Sequence, residues 1–260
     1  MKTIGNYQIL NKIAEGGFGI TYLAEHTKLK AKVCIKHASS ISDIDEKLMF
    51  EEARAIWDLR HYAIPAIRDV LKLPDGSVAL VMSYIPGPTL AQIIEKKHRL
   101  DAEHVSWIVS RALNALKYLH FNGVVHGDVK PQNIIIQPES HNVVLVDFGL
   151  AAIRPRRDTT NKGHTPIFAA PEQIDGRPLV PETDFYCLGT TMIYALGGDV
   201  EHRKVPDNAP EAICNFIKRL LPIQVLSRPS WDKEDLCDTF SDVREKAFGR
   251  TMSNMKKLNF

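Results

Sequence analysis

The sequence predicts an α+β chain in two unequal parts: a small, mostly antiparallel β part with one main helix, then a larger α-helical part. Three observations carry this. Ahead of Pro86 the apolar residues fall in short, partly alternating runs; beyond it they recur at helical spacing over long stretches. Between the two, Pro86-Gly87-Pro88 interrupts any regular element. The resulting boundaries are 1–85 for the first part, 86–232 for the second, and 233–260 for a C-terminal helix or tail, with a flexible surface tail favoured.

In the first part, Tyr7 to Ala14, Ile20 to Glu25 and Lys32 to His37 read as strands separated by Gly- or Lys-rich turns. Ser42 with Asp45 three residues on marks a helix start, and Ile44, Leu48, Met49, Ile56 and Leu59 follow at helical spacing. Two further strands, Ala66 to Leu73 and Ser77 to Met82, flank the turn Pro74-Asp75-Gly76. In the second part, Val105, Ile108, Val109, Ala112, Leu113, Leu116 and Leu119 form a wide stripe on a helix from Asp101 to Phe121 that Gly123 ends. Asn133 to Ile136 and Val143 to Val146 read as a small hairpin, and Glu182 to Leu196 and Pro210 to Leu221 as helices.

The composition is ordinary for a globular protein: 44% hydrophobic and 25% charged over 260 residues. A net charge of +2 is too small to argue for nucleic acid or a membrane surface as partner, and neither is expected. Cys34, Cys187, Cys214 and Cys237 form no CxxC pair and suit free thiols in a reducing compartment. The opening MKTIGNYQIL lacks the apolar run of a signal peptide, and no stretch nears the roughly 18 apolar residues of a membrane span. A cytoplasmic protein is expected.

Ala14-Glu15-Gly16-Gly17-Phe18-Gly19-Ile20-Thr21-Tyr22 lies between two expected strands. Glycines let a backbone approach a polyphosphate and aim N–H groups at it, although a plain hairpin turn explains such a loop as well. Lys36, on an otherwise apolar strand, needs an anion; Glu52, flanked by Met49 and Ile56 on one helix face, needs a cation. Singly each is a solvated charge. Together, after a glycine loop, they suggest a pair that holds phosphate oxygens. The densest chemistry is His126-Gly127-Asp128-Val129-Lys130-Pro131-Gln132-Asn133, then Asp147-Phe148-Gly149, then Ala170-Pro171-Glu172. Phosphoryl transfer needs oxygen ligands for Mg, a carboxylate to orient the attacking hydroxyl and cations for the developing charge.

In these motifs, their order and their spacing, residues 7 to 232 resemble the eukaryotic-type Ser/Thr protein kinase family, with bacterial members the nearest in flavour. The resemblance implies the two-lobed kinase fold in one catalytic domain, with ATP and Mg as cofactors and the hydroxyl of a protein as acceptor. It puts Gly16, Gly17 and Gly19 in the phosphate loop and Lys36, paired with Glu52, at the phosphates. Asp128 would orient or accept the acceptor's proton, Lys130 would steady the transferring group, and Asn133 and Asp147 would hold Mg. Thr21, Cys34 and Ile135 would flank the adenine, with Met82 as gatekeeper and Ser83 to Ile85 as hinge. Asp184 would brace the catalytic loop, and Glu172 would pair with Arg228. Lys130, and Thr165 within Gly163 to Glu172, follow the Ser/Thr pattern, and Thr165 is expected to bond toward Asp128 and Lys130.

Three departures qualify the resemblance. Ala14 stands where the family's first loop glycine falls. Gly127 replaces the arginine that pairs with a phosphorylated activation loop, so activity without phosphate on Thr159 or Thr160 is expected, unless Arg154, Arg156 or Arg157 substitutes. Asp199 to Ala209 is too short for the family's docking helix, which predicts an unusual surface there, covered by a partner or by residues 231–260. Two alternatives remain: a small-molecule kinase similar to the aminoglycoside phosphotransferases, suggested by His-Gly-Asp, and a pseudokinase binding module. With no sensor segment in the sequence, a regulatory protein, the tail or expression is expected to provide control; Thr239, Ser241, Thr251 and Ser253 are candidate phosphoacceptors.

Overall fold

A computed structural model describes residues 3–16, 19–38 and 42–250; Gly17, Thr251 and Ser253 lie outside the described residues. The chain divides into two compact units, Met1–Pro86 and Gly87–Phe260.

The first unit is a six-stranded sheet with one helix. Its strands are β1 (Thr3–Ile4), β2 (Tyr7–Gly16), β3 (Gly19–His26), β4 (Lys32–His37), β5 (Ile67–Lys72) and β6 (Val78–Ser83), in the order β1-β2-β3-β4-β6-β5. Every neighbouring pair is antiparallel. β2 ends at Gly16 and β3 begins at Gly19, these two glycines being strand partners, and the register is irregular between Ile9 and Asn11 and between Lys12 and Ala14. Val33 and Ile35 of β4 join Ile4, Ala24, Ala79 and Val81 in one core cluster. The helix α1 (Asp43–Ile56) starts where the sequence indicates: Ser42 Oγ accepts from Asp45 N at 3.1 Å, and Asp43, Asp45 and Glu46 place negative charge at the positive end of its dipole. It buries Met49, Glu52, Ala53, Ala55 and Ile56 and lies along β5 and β6.

The second unit is mostly helical: α2 (Leu90–Lys97), α3 (Ala102–Phe121), α4 (Pro171–Ile174), α5 (Pro181–Leu196), α6 (Glu211–Leu220) and α7 (Leu236–Phe248). Its strands form two short ribbons, β7 (Val124–Val125) with β10 (Ala152–Ile153) and β8 (Ile134–Gln137) with β9 (Asn142–Leu145). α5 is apolar nearly all round and is buried from Thr183 to Leu196 apart from Tyr194, so it serves as the unit's central post. Among the described residues no helix is long and apolar enough to cross a membrane.

Besides the short β1, β7, β10 and α4, which the sequence reading did not name, two longer elements differ from it. α2 follows Pro86-Gly87-Pro88 so closely that its eight residues show little period, yet Thr89 and Gln92 form a reciprocal capping box, with bonds of 3.2 and 2.9 Å. The favoured flexible tail is instead helical over Leu236–Phe248. α7 lies against α3 and α6, with the Phe216 and Phe240 rings 4.5 Å apart and both fully buried. Each such ring contributes about 2–3 kcal/mol by leaving water, which is why a segment so charged on its outer face still folds onto the unit. Between Gly198 and Pro210 there is no helix; Asp199 and Lys204 close a tight hairpin.

Candidate active site

In the first unit, Lys36 and Glu52 meet as the sequence indicates. Lys36 Nζ donates to Glu52 Oε2 at 2.8 Å, with both side chains more than nine-tenths buried. Strand register places Lys36 opposite Thr21 on one side and Leu80 on the other, and Cys34 opposite Leu23 and Met82. Thr21 and Cys34 are half-buried and Met82 is buried. Ser83 closes β6, where its Oγ accepts from Ala66 N at 2.9 Å, and Ile85 follows in irregular backbone. The two described loop glycines differ in kind. Gly19 has φ +136°, and a Cβ there would sit 2.2 Å from the His37 carbonyl oxygen, so the hairpin itself demands glycine. A Cβ on Gly16 would meet nothing within 4 Å, so no neighbour in the structure demands its glycine.

In the second unit, β7 leads into the loop that carries Asp128. Asp184, in the first turn of α5 and fully buried, accepts from His126 N and Gly127 N, each at 2.8 Å. A carboxylate taking two backbone donors fixes the loop's direction more firmly than packing alone. Asp128 Oδ1 accepts from Thr165 Oγ1 at 2.7 Å, and Oδ2 accepts from Asn133 Nδ2 at 2.9 Å. Lys130 Nζ lies 2.7 Å from Asp128 Oδ2 and donates to Thr165 Oγ1 at 2.8 Å. Asn133 Nδ2 also donates to the Asp128 carbonyl at 2.9 Å, which leaves the amide oxygen as the group it can offer a cation. Asp147 has φ +65°, a left-handed backbone rare outside glycine and asparagine. Ile135 is half-buried in β8, bridged to Thr89. Thus Asp128, Lys130, Asn133 and Thr165 are brought together within hydrogen-bond reach.

Several supporting residues escaped the sequence reading. His120, buried on the apolar face of α3, bonds Asp184 Oδ2 through Nε2 at 2.8 Å, while its Nδ1 accepts from Trp231 Nε1 at 2.8 Å. The indole donor therefore sets the imidazole's tautomer. Gln173 donates to the Gly127 carbonyl at 2.8 Å and accepts from Ala170 N at 3.0 Å and Cys187 Sγ at 3.3 Å. Burial, with the nearby Asp184, Asp128 and Glu172 carboxylates, pushes the Cys187 thiol well up, so it stays a donor. The sequence offered only weak hints: a histidine on an apolar helix face and a glutamine after Ala-Pro-Glu.

Glu172 and Arg228 form a buried ion pair in the same unit. Arg228 Nη1 and Nη2 donate to Glu172 Oε1 and Oε2 at 2.6 and 2.8 Å, and Thr183 Oγ1 donates to Oε1 at 2.8 Å. Burial pushes the Glu172 carboxyl up, but the hydrogen bonds and charge of Arg228, with Thr183, outweigh it and hold the group below its ordinary range.

Gly127 is required by its surroundings as well as by its backbone. At φ +75°, an added Cβ would sit 2.7 Å from Leu179 Cδ1 and 2.8 Å from the Leu150 carbonyl oxygen. Gly127→Ala is expected to destabilise the chain by about 2–4 kcal/mol, the sum of a left-handed penalty and overpacking, read as a lowered urea midpoint. The loop therefore follows a path that a side chain at this position does not fit without a shift.

Comparison with the sequences of known proteins points the same way. A family model described as the protein kinase domain matches residues 7–235. A serine/threonine-protein kinase D from Synechocystis sp. is 33% identical over 215 residues, covering 75% of this chain and 41% of that protein. Serine/threonine-protein kinase pkn3 of Myxococcus xanthus is 32% identical over 211 residues, 76% of this chain and 39% of that protein. A maternal embryonic leucine zipper kinase from Danio rerio is 31% identical over 198 residues, 74% of this chain and 29% of that protein. The match thus spans about two fifths or less of these relatives' length. With the kinase motifs in order, the antiparallel sheet of the first unit and the helical second unit, the chain belongs to the protein kinase domain family.

Proposed function

We propose that the chain is an ATP-dependent Ser/Thr protein kinase. The observation that carries the reading is the Asp128 carboxylate, held by Thr165, Asn133 and Lys130 at 2.7–2.9 Å. Bound ATP would supply the transferable phosphoryl group and Mg the charge that neutralises it. Asp128 would orient the acceptor hydroxyl and take its proton, and Lys130, one bond away, would neutralise charge beside it. The Asn133 amide oxygen and the Asp147 carboxylate are the hard oxygen ligands that suit Mg, which takes few protein ligands and shares the rest with phosphates and water. Lys36, oriented by Glu52, is the cation proposed for the phosphates, with Gly16, Gly17 and Gly19 in the loop over them. Thr21, Cys34, Met82, Ser83, Ile85 and Ile135 are the proposed nucleotide contacts. The Thr165 bonds and the Glu172–Arg228 pair favour a protein acceptor over a small molecule. The four free cysteines suit a cytoplasmic setting. The test is radiolabelled ATP with Mg, comparing the parent with Asp128→Ala; equal phosphate incorporation by both would remove the enzymatic reading.

Activity is proposed to need no activation-loop phosphate. Support comes from bonds that tie the segment down without one. Lys162 Nζ donates to the Ala151 carbonyl at 2.9 Å, Asn161 Nδ2 to the Gln173 carbonyl at 3.1 Å, and Gln173 Nε2 to the Gly127 carbonyl at 2.8 Å. Thr159 Oγ1 already accepts from Arg156 N at 2.7 Å within a local turn. Replacing Thr159 and Thr160 together by alanine is expected to change the transfer rate by less than about fivefold; a hundredfold loss would point to a phosphate-ordered segment instead. A regulatory protein remains the proposed source of control.

A further inference from the structure

The short hairpin at 199–204 carries an arginine that reaches the turn after Thr165, the platform proposed to face the protein acceptor. Asp199 N donates to the Lys204 carbonyl at 2.9 Å and Lys204 N to the Asp199 carbonyl at 2.8 Å. The Asp199 carboxylate accepts from His202 N at 3.0 Å and lies 2.8 Å from His202 Nδ1, which fixes the turn between them. The next residue, Arg203, has φ +54°, a left-handed conformation that a side-chain-bearing residue holds only where its surroundings over-determine it. Its guanidinium makes those bonds. Nε donates to the Tyr186 hydroxyl at 3.0 Å, and Nη1 donates to the Ile167 carbonyl at 2.9 Å and to the Val200 carbonyl. The group also lies 5.5 Å from the Tyr186 ring centroid, and Arg228 lies 4.8 Å from the same ring.

Ile167 is two residues from Thr165, in the turn where Phe168 N and Ala169 N both donate to the Thr165 carbonyl at 3.0 Å. The same turn presents the Thr165 hydroxyl to Asp128 and Lys130. The Ile167 side chain is half-exposed on it. Arg203 therefore ties a carbonyl of the turn that carries both a catalytic contact and an exposed apolar side chain.

We propose that Arg203 is a positioning residue for the protein acceptor, an inference that rests on the kinase reading above. By a charge-assisted bond it holds the Ile167 carbonyl, so the platform turn keeps one shape and Ile167 meets the acceptor chain beside the reacting hydroxyl. It touches no reacting group. A lysine cannot replace it, because one ammonium on a flexible stem does not reproduce a rigid fork that spans Tyr186 and Ile167.

Arg203→Gly deletes the guanidinium while suiting the left-handed backbone, and Arg203→Lys keeps the charge without the fork. The acceptor probe is a degenerate mixture of Ser- and Thr-centred peptides, with ATP and Mg. Both variants are expected to raise the peptide KM about tenfold, with the KM for ATP within about twofold of the parent. Hydrogen exchange at the Phe168 and Ala169 amides is expected to quicken alongside, a local change that a general loss of stability does not confine to this turn. An unchanged peptide KM in a folded Arg203→Gly, with the parent active, overturns this proposal and leaves the kinase reading standing. If Arg203→Gly does not fold, the peptide KM of Arg203→Lys decides in the same way. A parent with no Asp128-dependent transfer overturns both.

Discussion

Asp128→Asn is expected to lower phosphoryl transfer to protein about a thousandfold while the chain remains folded. The carboxylate has three donors around it: Thr165 Oγ1 at 2.7 Å, Asn133 Nδ2 at 2.9 Å and Lys130 Nζ at 2.7 Å. An amide of the same shape has one acceptor oxygen where the carboxylate has two, so its NH2 must face either Thr165 or the Asn133–Lys130 pair. It also cannot take a proton near neutral pH. The backbone of the loop is held from elsewhere, by Asp184 on His126 N and Gly127 N, so the loss falls on chemistry rather than on folding. The check is steady-state transfer to the peptide mixture together with a urea melt. A variant that retains more than about a tenth of the parent's rate would assign the proton to another group.

Arg228→Met is expected to have the largest effect on stability, a loss of about 3–5 kcal/mol, because it leaves Glu172 buried without its cation. The guanidinium donates five hydrogen bonds: two to Glu172, and one each to the carbonyls of Pro222, Glu182 and Ile223. Adding Glu172→Gln to Arg228→Met is expected to recover part of the loss, since a neutral amide is cheaper to bury than a lone carboxylate. The pair also carries a pH signature. Because the folded Glu172 carboxyl sits below its ordinary range, its contribution is complete above the unfolded glutamate value of about 4.3 and is lost as pH falls through the folded value. The gap between parent and Arg228→Met should therefore narrow on acidification, when the lone carboxyl can take a proton. Urea midpoints at roughly pH 7 and pH 4 measure it; a gap that widens in acid would place the pH dependence elsewhere.

Much of the fold was legible because it is written in local pattern. The long stripe on α3, the nearly all-apolar α5 and the Ser42 cap of α1 depend on residues a few positions apart, and the structure has all three. α2 was missed because eight residues barely contain a period, and the sequence did not separate helix from tail for α7 because its charged face masks the buried Phe240. The Lys36–Glu52 contact was anticipated from the residues and the Glu172–Arg228 and Thr165–Asp128 contacts from the family resemblance; all three lie at 2.6–2.8 Å.

What the sequence determined by itself was the set of chemical groups and their order: a lysine needing an anion, a carboxylate beside a lysine and an asparagine, and a glycine where an arginine is usual. Only the tertiary structure decided how those groups are held. Trp231 reaches His120 across 111 residues and Gln173 reaches the Gly127 carbonyl across 46, distances along the chain over which no periodicity carries information. The same holds for Arg203 of the 199–204 hairpin, which only folding sets on the Ile167 carbonyl. Local pattern follows from bond geometry and solvation of neighbouring residues, whereas these contacts exist only once burial has brought distant segments together.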